Sequence, residues 1–157
     1  MTTLPLIIRT AILDDAHCIG QLAKQFADYL RSLGDTTDFQ FNTQAYLRDG
    51  FGPRPAFFGI VAELEGQVIG YLLYHSGYDT DYAVRLLHVV DLYVEERFRG
   101  RGVGRALMQE AATRGRQEGA KGLIWSVFSA NRRAAEFYER LGARYVRGLD
   151  LMYLEIV

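Results

Sequence analysis

The sequence has little of what marks secreted, membrane-bound or nucleic-acid-binding proteins. Among its 157 residues Cys18 is the single cysteine, so no internal disulfide can form, and a reducing cytoplasm is the simplest location. Basic residues number 18 and acidic residues 19, with the two signs interspersed, so we expect no nucleic-acid partner. We also expect no membrane association, because there is no long apolar run and no signal-peptide pattern.

The apolar content is, by contrast, sufficient for one well-packed domain. Apolar residues make up 49% of the chain, and the length suits a single domain over residues 1–157. Their periodicity predicts a mixed α/β fold around a twisted sheet. The predicted elements are strands at 6–9, 57–64, 67–74, 85–94, 123–128 and 149–156, with helices at about 15–30, from 42 or 43, after 102 and after Asn131.

The most informative segment is the glycine-rich run at 99–104, Arg-Gly-Arg-Gly-Val-Gly. An apolar, β-branched stretch at 86–94 precedes it and predicts a buried strand. Apolar residues at helical spacing follow from Val103. A glycine-rich turn between a strand and a helix leaves unpaired N–H groups at the positive end of the helix dipole. The segment therefore predicts a phosphate-binding site.

The spacing of the glycines decides which phosphate motif this is. A dinucleotide fingerprint would need a third glycine where Arg105 or Leu107 stands, and the chain contains no Gly-Lys-Ser or Gly-Lys-Thr. The run instead fits Arg/Gln-x-x-Gly-x-Gly/Ala, and so resembles the acetyl-CoA pyrophosphate loop of the GCN5-related N-acetyltransferases (GNAT family). The alternative is a tight turn whose arginines are only solvated.

The resemblance extends over essentially the whole chain. It implies the GNAT fold, a central twisted and mostly antiparallel sheet that is flanked by helices and splayed at its two central strands. Within the family the chain resembles the diamine (spermidine/spermine-type) acetyltransferases, which implies a homodimer. The segments that carry this resemblance to the diamine branch are 47–52, Tyr78-Asp79, Leu86-Leu87, 91–94, and 131–134 followed by Tyr138.

Acetyl-CoA is the cofactor that the resemblance implies, and no metal is expected. Leu92, Tyr93 and Val94 should pair through their backbone with the pantetheine arm, and an N–H there could steady the oxyanion. The direct attack of the amine requires no acyl-enzyme. The remaining cofactor residues implied are Arg99, Gly100, Arg101, Gly102, Val103, Gly104 and Arg105 at the pyrophosphate, and Asn131, Arg132, Arg133 and Ala134 in a second stretch.

Tyr138 matches the family position of a proton donor for the departing thiolate. A phenol with a pKa near ~10 stays protonated at neutral pH and can donate. The alternative is a core tyrosine, because Phe137 and Leu141 are its neighbours on an amphipathic helix.

The general base is the point at which the sequence departs from the diamine branch. That branch has a glutamate where this chain has Val90. Asp91 points to the opposite face of a regular strand, but a bulge expected from the family could turn it inward. His88 shares the Val90 face about 6.5–7 Å along the strand and would need a bridging water. Asp91 is slightly favoured over His88.

Recognition of the acceptor is less well defined by the sequence. Asp150 falls where the branch has a substrate-binding glutamate, and Asp79 lies in a loop before the central strand. Leu30 replaces a second substrate carboxylate of the branch, which favours a shorter acceptor such as a diamine or a lysine-like amino acid. The alternatives to a small-molecule N-acetyltransferase are a protein acetyltransferase, acting on an N-terminus or a lysine, and a non-catalytic CoA-binding module.

Overall fold

The computed structural model describes residues 5–156 and confirms the mixed α/β architecture. Its five-stranded sheet has the order β1-β2-β3-β4-β5, with antiparallel pairing throughout except for β5, which runs parallel to β4. The elements are β1 (Ile7–Thr10), α1 (Ala16–Ser32), α2 (Thr43–Gly50), β2 (Phe58–Leu64), β3 (Gln67–Asp79), β4 (Val84–Val94), α3 (Val103–Gln117), β5 (Ala120–Ile124) and α4 (Arg132–Arg140).

The two faces of the sheet bury two separate apolar clusters. Helices α1 and α2 cover one face, where Tyr46 and Tyr71 are almost completely buried. Helix α3 covers the other face, where Leu72, Leu87 and Leu107 are fully buried. Successive strand residues face opposite sides of a sheet, so the alternation along the strands supplies both clusters.

A β-bulge interrupts β4 at Val90. Leu73 of β3 pairs with Asp91, whereas the next residue of β3, Tyr74, pairs with Val89, so Val90 is the extra residue. Before the bulge, Val89 packs in the cluster under α3; after it, the side chain of Asp91 lies on the α1 side of the sheet. The bulge therefore reverses the face to which Asp91 points, as the family resemblance had led us to expect.

The pairing of β4 with β5 stops well before β4 ends. Its last pair is His88 with Ile124, although β4 continues to Val94. The strand predicted at 123–128 thus lies at Ala120–Ile124 instead. Beyond His88 the β5 side of β4 is open, which is the splay expected of the fold.

The predicted last strand at 149–156 is wrong. Within the described range 5–156 these residues have no strand partner, and their apolar side chains are exposed, for example Met152 at 97% and Tyr153 at 90%. Their alternation is typical of a strand, but a strand also needs a partner for its hydrogen bonds. The strand predicted at 67–74 is also longer than expected, because β3 runs to Asp79. Across 5–156, no helix combines the length and apolar character needed to cross a bilayer.

Candidate active site

The N-terminus of α3 presents free backbone donors next to the splay. Gly102 caps the helix in the left-handed region with φ +83°, and Gly100 also has a positive φ of +73°. The first helical hydrogen bond runs from the Ala106 N–H to the Gly102 carbonyl at 2.9 Å. The N–H groups of 103–105 come before it, so they are available to an anion at the positive end of the helix.

These donors open into a pocket of about 340 Å³, which we call the glycine-loop pocket. It lies between the open end of β4, the start of α3, helix α4 and one side of α1. Its lining residues are Phe26, Tyr29, Leu92, Tyr93, Val94, Arg99, Gly100, Gly102, Val103, Gly104, Arg105, Asn131, Arg133, Ala134, Phe137, Tyr138 and Arg140.

The charged residues of this lining are all arginines, namely Arg99, Arg105, Arg133 and Arg140. Arg99 is held in place, because its Nε donates to the Val94 carbonyl at 2.9 Å and its guanidinium lies about 5 Å from the ring centroids of two tyrosines. Guanidinium groups beside free N–H donors form the kind of site that pyrophosphate prefers. The pocket therefore fits the phosphates of a coenzyme such as CoA.

The structure brings together most of the predicted cofactor residues. The exceptions are Arg101, whose guanidinium lies 5.7 Å from the Phe98 ring centroid and outside the lining, and Arg132, which is exposed. Phe26 and Tyr29 were missed by sequence reasoning, because no motif marks a position on α1 that reaches this pocket only through tertiary packing.

The beginning of α4 is fixed by Asn131, as predicted. Its Oδ1 accepts hydrogen bonds from the Ala134 N–H and from the Tyr29 hydroxyl, both at 3.2 Å. Two turns into the helix, Tyr138 lines the pocket and packs on Trp125, with the ring centroids 4.8 Å apart. Burial, and then the charge of Asp91, raise the pKa of Tyr138 to about 12. The phenol is therefore protonated at neutral pH.

Asp91 lies in a second, smaller pocket of about 200 Å³ at the C-terminal end of α1, here the α1-end pocket. The Tyr71 hydroxyl donates to Asp91 Oδ2 at 3.3 Å. Burial raises the pKa of Asp91 to about 6, although this hydrogen bond opposes the rise. The α1-end pocket is lined by Phe26, Ala27, Leu30, Arg31, Asp35, Thr37, Phe39 and Asp91, and it shares Phe26 with the glycine-loop pocket.

The other predicted polar residues lie away from both pockets. His88 packs edge-on against His75, with ring centroids 4.7 Å apart, and burial and then the charge of His75 lower its pKa. The carboxylate of Asp79 accepts the N–H groups of 81 and 82 in a turn beyond the end of β3. Asp150 is exposed in the C-terminal segment.

The sequence matches the profile of the acetyltransferase (GNAT) family over residues 21–143. The chain belongs to the GNAT family. A relative of this GNAT acetyltransferase, the thialysine N-epsilon-acetyltransferase of Bos taurus, is 32% identical over 146 residues, which are 88% of this chain and 84% of that protein. The protein is thus an N-acetyltransferase, and GNAT enzymes generally use acetyl-CoA.

Solved structures show the same fold. The aminoglycoside N-acetyltransferase AAC(6')-Iy, in complex with CoA, has a TM-score of 0.80 at 16% identity, covering 99% of this chain and 98% of that one. The ribosomal-protein-alanine N-acetyltransferase from Brucella melitensis biovar Abortus 2308 has a TM-score of 0.77 at 18% identity, with coverage of 96% and 100%. At these identities the likeness concerns the fold.

Proposed function

We propose that residues 1–157 form one acetyltransferase domain that transfers an acetyl group from acetyl-CoA to the primary amine of a small molecule. The acceptor class is a diamine, a polyamine or a lysine-like amino acid. One observation carries the proposal: the glycine-loop pocket and the α1-end pocket share Phe26 in their lining. The first pocket has phosphate-binding features and Tyr138, and the second has Asp91. Burial raises the pKa of Asp91 to about 6 and that of Tyr138 to about 12, so at neutral pH Asp91 can accept a proton and Tyr138 holds one to donate.

The glycine-loop pocket is the proposed site for acetyl-CoA. The N–H groups of 103–105, together with Arg99 and Arg105, would hold the pyrophosphate. The open edge of β4 at Leu92 and Tyr93 would pair with the pantetheine arm, while the Val94 carbonyl already accepts Arg99. Bound there, acetyl-CoA would supply the acetyl group, whose bond to sulfur is exchanged for a bond to the acceptor nitrogen.

Asp91 and Tyr138 are the proposed proton acceptor and donor. An alkyl ammonium with a pKa near ~10.4 must lose a proton before its nitrogen can attack, and the Asp91 carboxylate is the acceptor among the residues that line the α1-end pocket. The Tyr138 hydroxyl holds the proton that it donates to the departing sulfur. Of the two protons that the nitrogen loses, one replaces the Tyr138 proton and the other reaches solvent through Asp91. His88, outside the lining of both pockets, is the less favoured base.

The size of the α1-end pocket favours a small acceptor over a protein. About 200 Å³ is less than the roughly 300–1,000 Å³ of pockets for drug-sized ligands. The relative from Bos taurus is named for thialysine, a lysine-like amino acid, which agrees with this size. Asp79 and Asp150 line neither of the two pockets. Their proposed contact with the acceptor therefore requires a partner subunit or a movement that brings them to a pocket.

We propose further that the enzyme is a homodimer of the cytoplasm. The C-terminal segment exposes large apolar side chains, including Leu151 and Met152, and β5 is an edge strand of the sheet. Exposed apolar surface and unpaired strand edges are commonly covered in an assembly. Light scattering on the purified full chain would measure this directly, and a mass of one subunit would contradict it. The lone, partly buried cysteine agrees with a reducing compartment.

The function is tested by thiol release from acetyl-CoA across a panel of acceptors. The panel contains lysine, ornithine, 1,4-diaminobutane, spermidine and peptides with a free N-terminus or an internal lysine. We expect thiol release with at least one free amine and not with the peptides. Transfer to peptides alone would establish the protein acetyltransferase, and coenzyme binding without transfer to any acceptor would contradict the proposed activity.

A further inference from the structure

The α1-end pocket contains two charged residues that the proton transfer does not use. Arg31 lies in the last turn of α1, and Asp35 follows in the next loop; both line the pocket whose wall includes Asp91. The pocket thus presents a carboxylate and a guanidinium of opposite charge beside the proposed base. A pocket for a purely cationic acceptor has no need of the guanidinium.

Asp35 is held firmly in this position. The turn that ends α1 closes with hydrogen bonds from the Gly34 N–H to the Arg31 carbonyl at 3.0 Å and from the Asp35 N–H to the Leu30 carbonyl at 3.1 Å. Gly34 adopts a left-handed φ of +101°, which favours glycine. The N–H and hydroxyl of Thr37 both donate to Asp35 Oδ1, at 2.9 and 2.6 Å. The second carboxylate oxygen, Oδ2, is then available to a ligand.

The charges of the two residues are set for ligand binding at neutral pH. The hydrogen bonds from Thr37, and to a smaller extent the charge of Arg31, lower the pKa of Asp35, so its carboxylate is ionised. Arg31 itself has a long contact, 3.4 Å from its Nη1 to Asp28 Oδ1, and its side chain is 60% exposed. Such a pair contributes little and leaves most guanidinium donors for a ligand.

We propose that Arg31 and Asp35 form the subsite for the head group of an α-amino acid whose terminal amine is acetylated. Arg31 binds the α-carboxylate, Asp35 Oδ2 binds the α-ammonium, and the side-chain amine reaches Asp91. This assignment rests on the proposed function and names its acceptor class. A diamine or polyamine carries positive charges and no negative charge, so Asp35 attracts it and Arg31 repels it. The amino acid alone satisfies both charges.

The test uses three acceptors that share one chain length and differ in the head group. L-lysine carries both head-group charges, 1,5-diaminopentane lacks the carboxylate, and 6-aminohexanoate lacks the α-amine. The corresponding trio with one carbon fewer is ornithine, 1,4-diaminobutane and 5-aminopentanoate, and the trio with the faster turnover is used. KM and kcat are measured at saturating acetyl-CoA for wild type, Arg31→Gln and Asp35→Asn.

Each variant has a distinct expected pattern. Arg31→Gln should raise KM about tenfold for the two acceptors with a carboxylate and leave the diamine unchanged or improved. Asp35→Asn should raise KM about tenfold for the two acceptors with a second ammonium and spare 6-aminohexanoate. The kcat values and the KM for acetyl-CoA should stay close to wild type, because the reacting amine remains at Asp91.

The matched control is Asp38→Asn. This residue lies in the same loop, is exposed, accepts the Gln40 side-chain amide at 2.8 Å and lines neither pocket, so every KM should match wild type. Equal changes for all three acceptors, or no change in either variant, would refute the head-group subsite while acetyl transfer stands. If the wild type acetylates none of the free amines, the proposed function itself fails, and the subsite fails with it.

Discussion

Asp91→Asn should make this acetyltransferase more stable at neutral pH while it slows acetyl transfer. The carboxylate of Asp91 is partly buried beside Tyr71, and the hydroxyl of Tyr71 is its hydrogen-bond donor. Burial penalises the ionised form, which is why the pKa rises to about 6. An amide has a similar shape, still accepts the Tyr71 hydrogen bond, and carries no charge to desolvate.

The sign and size of the effect follow from the two pKa values. Below pH 3.8, which is the ordinary pKa of an aspartate, Asp91 is protonated in both the folded and the unfolded state and does not lower the free energy of unfolding. As the pH rises from 3.8 to about 6, Asp91 loses its proton in the unfolded chain but still holds it in the folded protein, so the free energy of unfolding falls. Above pH 6 the full cost is about 3 kcal/mol, at 1.36 kcal/mol per pKa unit. Removing it should raise Tm by about 6–12 °C.

The assay is thermal unfolding of wild type, Asp91→Asn and the surface control Asp38→Asn at pH 4 and pH 8. We expect a large rise in Tm for Asp91→Asn at pH 8, little difference at pH 4, and no effect of the control at either pH. A lower Tm at pH 8, or the same shift at both pH values, would refute the argument that Asp91 is an ionised carboxylate kept in an unfavourable environment for catalysis.

The same variant and three others test the site by kinetics and binding. Asp91→Asn should lower kcat/KM by about 10²–10⁴-fold at neutral pH, with a deficit that shrinks as pH approaches the ammonium pKa, whereas His88→Gln should keep the wild-type pH–rate profile. Tyr138→Phe should lower kcat at least about tenfold in steady-state kinetics, with little change in Tm or acetyl-CoA affinity. Gly102→Asp should greatly weaken acetyl-CoA binding in calorimetry, because the new carboxylate meets the phosphates, whereas Gly66→Asp, at a similar φ of +79°, should bind normally.

Each of these predictions is contradicted by one specific result. A wild-type pH profile for Asp91→Asn would make bulk water the proton acceptor, and a loss of activity in His88→Gln would favour the histidine. A near-normal kcat for Tyr138→Phe would make Tyr138 a packing residue. Unchanged acetyl-CoA binding by a folded Gly102→Asp variant would remove the basis for placing the coenzyme in the glycine-loop pocket.

The sequence was sufficient wherever the determining physics is local. The glycine run between a strand and a helix dictates free N–H groups whatever surrounds it, and Asn131 caps α4 through its own side chain three residues from the donor. The hairpin of β2 and β3 about 65–66 likewise depends on neighbouring residues. These features involve few residues close in the chain, so their pattern is visible without an alignment or a structure.

Only the tertiary structure decided the features that depend on pairing between distant segments. The bulge at Val90 is a property of the register between β3 and β4, and it alone turns Asp91 to the α1 face. The α1-end pocket joins Asp91 to Asp35, which lie far apart in the chain and share no motif. The alternating residues at 149–156 form no strand, because alternation specifies which faces a strand would present but not which edge, within this chain or on another, would pair with it.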